Sequence, residues 1–322
     1  LFLGVSCFST FLLLAGCKEE HMKGAISSVQ SESQSLRTFD QLKSNQEFTL
    51  LVGLKPYLGQ GTSEIQVAKE LNLRSAGRSL ILKDSVGIEH KSSEISLSWR
   101  KVPLLKPLKV ARQIAGPFAS FESAQRLVKR LNNQGISAEI AHPKEWEVWI
   151  SEDLELPREI NSWVFRKEIR SEIRPVLKGS TGEILLSGSL KIEAPDGLFI
   201  DGGFYRGPFW LKPDAYGTWT FIEEVFLESY LHGVVPHEIG PNAPEEALAA
   251  QAVLARTWAL ANSQRFAIDG YHLCSDTQCQ VYKAPNKASR RVRSAIAKTA
   301  GQYLSWNKAP IHAVYHASNG GV

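Results

Sequence analysis

The chain reads as a multi-domain α+β protein, and three observations carry that reading. Apolar and polar residues alternate in Ile95-Ser96-Leu97-Ser98-Trp99, the period of a half-buried strand. The stretch FESAQRLVKRLNNQG places Phe121, Ala124, Leu127, Val128 and Leu131 on one face and ends on Gly135, as an amphipathic helix does. An alanine-rich run reaches to about Asn262, with Pro244, Glu245 and Glu246 at its start, residues suited to the positive end of a helix.

In chain order, Leu1 to Cys17 comes first, almost wholly apolar and closing on Leu14-Ala15-Gly16-Cys17. Its apolar core, about a dozen residues, is too short to span a bilayer and fits the h-region of a secretion signal. Small residues before a cysteine resemble the lipobox of bacterial lipoproteins. That predicts removal of residues 1–17 up to a lipidated Cys17, loss of Cys7, and an extracytoplasmic protein anchored to a membrane by lipid. Neither an initiator Met nor a basic stretch precedes the apolar run, so the segment reads as clipped. Residues 18–45 are polar and serine-rich, the composition of a flexible tether.

Residues 46–104 read as a β-rich module with no evident chemistry, and residues 105–150 as a strand–helix–strand–strand unit. The charged stretch 151–172, which carries Pro157, reads as a link to a third region, 173–322. There EILLSGSLKIEA and GLFIDGGFYRGPFWL are strands broken by glycines, and a second helix is expected around Arg291 to Thr299. In the alanine-rich helix, Ala247, Ala250, Leu254, Thr257, Trp258 and Ala261 are expected on one face, open to close backbone approach. The net charge of +4, with no basic stripe on one element, excludes a duplex nucleic-acid binder.

The segment GVVPHEIG, Gly233 to Gly240, reads as a turn presenting Glu238 beside that helix. Apolar neighbours Val234, Val235 and Ile239 favour an uncharged acid, which suits proton donation. The rival reading is a glutamate that only hydrogen-bonds near the next helix start. Arg256, deep in the helix, needs a partner if buried. Either it orients Glu238 or a sugar, or it forms a structural ion pair with Glu245 or Glu246.

LESYLHGVVPHEIG, PEEALAAQAVLARTWAL, CSDTQCQVY, Gly301-Gln302-Tyr303-Leu304 and YHASNGG resemble, in order and spacing, the signature segments of the SpoIID/LytB family. That resemblance implies a cell-wall protein: a lytic transglycosylase acting on peptide-free peptidoglycan glycan strands, or a modifier that stimulates an N-acetylmuramoyl-L-alanine amidase. It carries the family's catalytic glutamate onto Glu238 and its arginine onto Arg256, with Ile239 for the usual Met and Trp258 for the usual Tyr. It also implies a substrate-binding role for Tyr315 and His316, against the alternative of a core histidine. His312 would share a face with His316 on a strand, and Asn319-Gly320-Gly321 would form a turn near ligand. Family members continue beyond the position of Val322, so the domain is expected to extend further. Gly116-Pro117-Phe118, the helix after it, Gly135 and Trp146-Val148 resemble a SPOR domain, which implies binding to peptide-free glycan.

One carboxyl group is enough for such a reaction. Ordinary glycoside hydrolysis uses two, but when the sugar's own hydroxyl closes the ring, one glutamate can serve as acid and then as base. Cys274 and Cys279, with His272, form a set of soft ligands, and some family members hold zinc at this place. Here Gln278 stands where the family often has His, and three ligands are one short of a tetrahedral shell. A Cys274–Cys279 disulfide is the competing expectation, favoured outside the cytoplasm.

Overall fold

A computed structural model describes residues 48–63, 68–179 and 182–316. Cys7, Cys17, the tether and the Asn319 to Gly321 segment lie outside them. No helix among the described residues is long and apolar enough to cross a membrane.

The first strands are β1 (Thr49–Leu58), β2 (Leu71–Ser75), β3 (Leu80–Lys83) and β4 (Glu89–Ser92). A long β5 (Glu94–Phe118) leads into α1 (Phe121–Asn133), then β6 (Ala138–Ala141) and β7 (Trp146–Ser151). Next come β8 (Trp163–Gly179), β9 (Gly182–Leu185), β10 (Leu190–Glu193), β11 (Leu198–Ile200), β12 (Gly203–Tyr205), β13 (Phe209–Pro213) and β14 (Trp219–Phe226). Two helices follow, α2 (Leu227–Glu238) and α3 (Glu245–Ala261), then β15 (Leu273–Cys274), α4 (Arg290–Lys298) and a short pair, β16 (Ser305–Trp306) and β17 (Ala309–Pro310). Sheets and helices together give the expected α+β class.

One sheet runs β15-β1-β14-β13-β10-β3-β4 and another β12-β11-β2-β5-β7-β6, with β8 beside β5. Residues 46–104 thus supply strands to both sheets, and β1 pairs antiparallel with β14 from Thr49↔Phe226 to Leu58↔Trp219. The reason is visible in β1 itself: Leu50 and Val52 are fully buried, and only a partner strand can satisfy a backbone so deep in the core. The stretch 151–172 also departs from expectation, because Trp163 onward pairs with β5 along most of its length. Much of this two-stranded ribbon is exposed, so its strands carry the charged composition of a linker.

Helix α1 begins at Phe121 and stops before Gly135, as its sequence predicts. The Ser120 hydroxyl caps it by accepting from the Ser123 N–H at 3.3 Å, and Gly135 takes the left-handed φ of +77° that ends it. The unit is seated on the C-terminal region. The buried Arg265 guanidinium donates to Glu122 at 2.7 Å and lies over the rings of Phe121, Trp146 and Trp258. Tyr216 Oη accepts from the His142 N–H at 2.7 Å and donates to Asp269 at 3.0 Å.

In α3 the buried residues are Leu248, Gln251, Ala252, Ala255, Arg256, Thr257, Ala259 and Leu260, so of the predicted stripe Thr257 is buried whereas Ala247 and Ala250 are exposed. The predicted stripe was displaced because the helix is apolar nearly all round, leaving no polar side to orient it. The main core packs α2, α3 and α4 with the β1 and β14 strands, through Tyr230, Leu231, Val234, Val235, Leu248, Ala252, Val292 and Phe221.

Candidate active site

Helix α2 replaces the predicted turn. Its sequence LESYLHGVVPHE continues through Pro236 because a proline near a helix end forfeits one backbone bond and only the last turn lies beyond it. Gly240, with φ +84°, stops the chain just past the end. Glu238 is therefore the last helical residue. Val234 and Val235 are buried beneath it, while Ile239 is 38 % exposed.

Across α2 runs the segment 280–283. The Lys283 N–H donates to Gly233 O at 3.1 Å. A Cβ on Gly233 would lie 2.2 Å from Lys283 O, so only glycine admits the crossing. This approach lets successive residues of one segment fix three polar groups. The Val281 N–H donates to Glu238 Oε1 at 3.0 Å. Gln280 binds the hydroxyls of Tyr230 and Tyr315, and Tyr282 donates to Glu223 at 2.8 Å while its ring stacks on Tyr230 at 4.9 Å. Glu238 is half-buried, and among the described residues its Oε2 receives no hydrogen bond. The carbonyl oxygen of a neutral carboxyl is the better acceptor, so the Val281 N–H on Oε1 favours Oε2 as the place for a hydrogen.

The Tyr315 hydroxyl accepts from Gln280 Nε2 at 2.8 Å, and its phenol is held above the ordinary range by burial and then by the Glu238 charge. His312 and His316 are both exposed, and the segment holding them is not a strand; the His312 carbonyl accepts the Val314 N–H at 3.1 Å. Two site residues escaped the sequence reading. Gln280 and Tyr230 both stand inside segments singled out there, but as uncharged residues they carry no signal of their own.

Arg256 does not face Glu238. Its guanidinium, 1 % exposed, grips Glu228 with two bonds, Nε to Oε1 at 2.8 Å and Nη2 to Oε2 at 2.7 Å, and donates to Gln302 O at 2.8 Å. Glu228 lies in the first turn of α2, about 15 Å along the axis from Glu238. Its ion-pair partner is thus Glu228 in place of Glu245 or Glu246, and among the described residues it makes no hydrogen bond to Glu238. Glu245 pairs with Lys298.

The metal expectation does not fit these residues. Cys274 and Cys279 are joined as a disulfide. His272 accepts the Leu51 N–H on Nδ1 at 2.8 Å, and its Nε2 is buried without a partner. Burial holds its pKa down to about 4, so the ring is neutral. Among the described residues no group of three or more His, Cys, Asp or Glu side chains is placed to hold a metal ion. The disulfide sits directly before Gln280 and Val281. Closing a loop with sequence separation 5 contributes about 2 kcal/mol in the chain-entropy model. Reduction is expected to lower the melting temperature and loosen the contacts of Gln280 and Val281. Calorimetry with and without dithiothreitol checks this, and an unchanged melting temperature counts against it.

Glu223, on β14, is 1 % exposed and accepts from the N–H groups of Arg206 and Gly207, each at 3.3 Å, besides Tyr282. Burial raises its pKa to about 7. A carboxyl whose folded pKa exceeds its unfolded one stabilises the fold at low pH, and this is lost as pH rises through about 7. Glu223→Gln is expected to flatten the fall in melting temperature between pH 5 and 8. An unaltered slope would point to Asp269, also raised to about 7 by burial and then by Asp214. A cavity of about 530 Å³ borders Glu223, Ser229, His232 and Arg293, but not Glu238. His232 and Glu238 project about 120° apart around α2, so this cavity and the Glu238 carboxyl face different sides of the helix.

Residues 215–306 match the family model described as SpoIID, Stage II sporulation protein. Glu238, Arg256, Tyr230 and Gln280 fall within that match, and Tyr315 follows it.

An uncharacterized protein of Brachyspira hyodysenteriae (strain ATCC 49526 / WA1) is 33% identical over 135 residues, covering 40% of this chain and 35% of its own. Stage II sporulation protein D of Bacillus subtilis (strain 168) is 34% identical over 116 residues, covering 31% of this chain and 34% of its own. The same-named protein of Bacillus amyloliquefaciens is 33% identical over 116 residues. The chain spans about a third of the length of each relative.

Proposed function

We propose that this protein cuts the glycan strands of peptidoglycan as a lytic transglycosylase, with Glu238 as acid and then as base. The observation that carries the reading is the asymmetric hold on Glu238: Oε1 is fixed by the Val281 N–H, and Oε2 receives no hydrogen bond among the described residues. The similarity of residues 215–306 to stage II sporulation proteins supports it.

In this mechanism the Oε2 hydrogen passes to the glycosidic oxygen and the bond from that oxygen to the anomeric carbon breaks. The C6 hydroxyl of the same sugar then closes on the anomeric carbon, and its proton returns to Glu238. No water enters the products, so a second carboxylate has no task. The reading extends to location and recruitment. A lipid on Cys17 would hold the protein outside the cytoplasm, in keeping with a disulfide, and the SPOR-like unit would carry it to peptide-free glycan.

The test is to incubate the wild-type protein with peptide-stripped glycan and examine the ends by mass spectrometry. Anhydro-muramyl ends are expected. Reducing ends alone, or no cleavage together with stimulation of a cell-wall amidase, would overturn the reading in favour of a hydrolase or of the modifier role.

A further inference from the structure

The ribbon of β5 and β8 slips in register between Pro103 and Leu108. Pro103 pairs with Ser171 and Leu108 with Ile169, so Leu104-Leu105-Lys106-Pro107 bulges out where β8 has only Arg170. Pro107 has no N–H to give to a ladder, which favours a bulge there. The bulge carries Leu105, 86 % exposed, close to Leu108, 37 % exposed. Around them Lys101, Lys106 and Lys109 on β5 and Lys167 on β8 are exposed, and none joins an ion pair among the described residues. Residues 101–109 and 166–172 hold six lysines and arginines against two glutamates, an excess of four that equals the formal net charge of the whole chain. The two stretches lie far apart in the sequence, and only the pairing of β5 with β8 gathers their charge.

We propose that this bulge seats the protein on a membrane of anionic phospholipid, with Leu105 entering the boundary between headgroups and acyl chains and the lysines meeting the lipid phosphates. A leucine held out in water gains free energy on entering an apolar layer. A cation near an anionic leaflet is drawn to it, and the attraction fades beyond a Debye length. The charge disfavours a second copy of the bulge as occupant, because the pairing would bring like charges together. A polyanion such as a nucleic acid or an acidic wall polymer suits the lysines but gives Leu105 nothing to enter. A layer of anionic lipid satisfies both features at once. This seating is independent of the chemistry at Glu238.

The test follows amide hydrogen exchange by mass spectrometry in the full chain, alone and with vesicles of phosphatidylglycerol or of phosphatidylcholine. The apolar residues 1–17 can hold the chain to either vesicle, so the readout is local. Exchange across residues 103–110 is expected to slow by roughly threefold or more on phosphatidylglycerol and to stay unchanged on phosphatidylcholine. In Leu105→Ser, and in Lys106→Gln combined with Lys109→Gln, that protection is expected to be lost. These side chains are exposed, so the variants are expected to melt as the wild type does. Unchanged exchange on phosphatidylglycerol, or equal slowing on both lipids, overturns the proposal. So does protection that survives Leu105→Ser, and so does equal protection by soluble polyphosphate, which would assign the lysines to a polyanion.

Discussion

Glu238→Gln is expected to lower kcat on peptide-free glycan by roughly 10²- to 10⁴-fold, the usual contribution of a positioned acid–base group. The melting temperature is expected to stay within a degree or two of wild type. The substitution keeps the shape of the side chain, and its carbonyl oxygen can still accept the Val281 N–H that now binds Oε1 at 3.0 Å. What it removes is the transferable hydrogen on the other oxygen. Steady-state release of anhydro ends, measured beside a thermal melt, reads both quantities at once. Retention of more than a tenth of wild-type kcat would take Glu238 out of the chemistry.

Arg256→Leu is expected to do the opposite, acting on the fold. The guanidinium is buried, and the substitution takes its two-pronged donor from the Glu228 carboxylate and leaves the Gln302 carbonyl unpaired. Glu228 is 35 % exposed and keeps the Gly301 N–H at 3.2 Å, so the loss is about 1–3 kcal/mol, a fall in melting temperature on the order of 5 °C. Arg256→Lys is expected to recover only part of this, because an ammonium cannot reproduce the two-pronged grip on Glu228. Well below its melting temperature, the Leu variant should turn over near the wild-type rate. Loss of kcat with an unchanged melt would restore the catalytic role first expected of Arg256.

Those two residues mark the limit of what pattern alone could tell. The helix at Phe121–Asn133 was legible to its ends, because its cap, its apolar period and its stop are all local. Glu238 was singled out through its motif, yet its setting was misread. Val234-Val235-Pro236 looks like a turn by composition, and only burial of that run against the core makes it helix. The stretch 151–172 was read as a linker because charge is common to linkers and to exposed strands.

The sequence by itself determined the α+β class, the α1 unit and the likeness to SpoIID-type chains. It also singled out the Cys274–Cys279 pair as disulfide or metal ligands. Each of these depends on neighbours along the chain or on side-chain chemistry that needs no distant partner. Tertiary structure alone decided which carboxylate Arg256 would meet, which residues would surround Glu238, and that residues 49–58 would share a sheet with 219–226. Those outcomes depend on contacts between positions far apart in the chain, such as Val281 against Glu238 and Arg256 against Glu228. No local period encodes such contacts. They appear only when apolar strands from both ends of the chain bury one another and carry their polar neighbours into place.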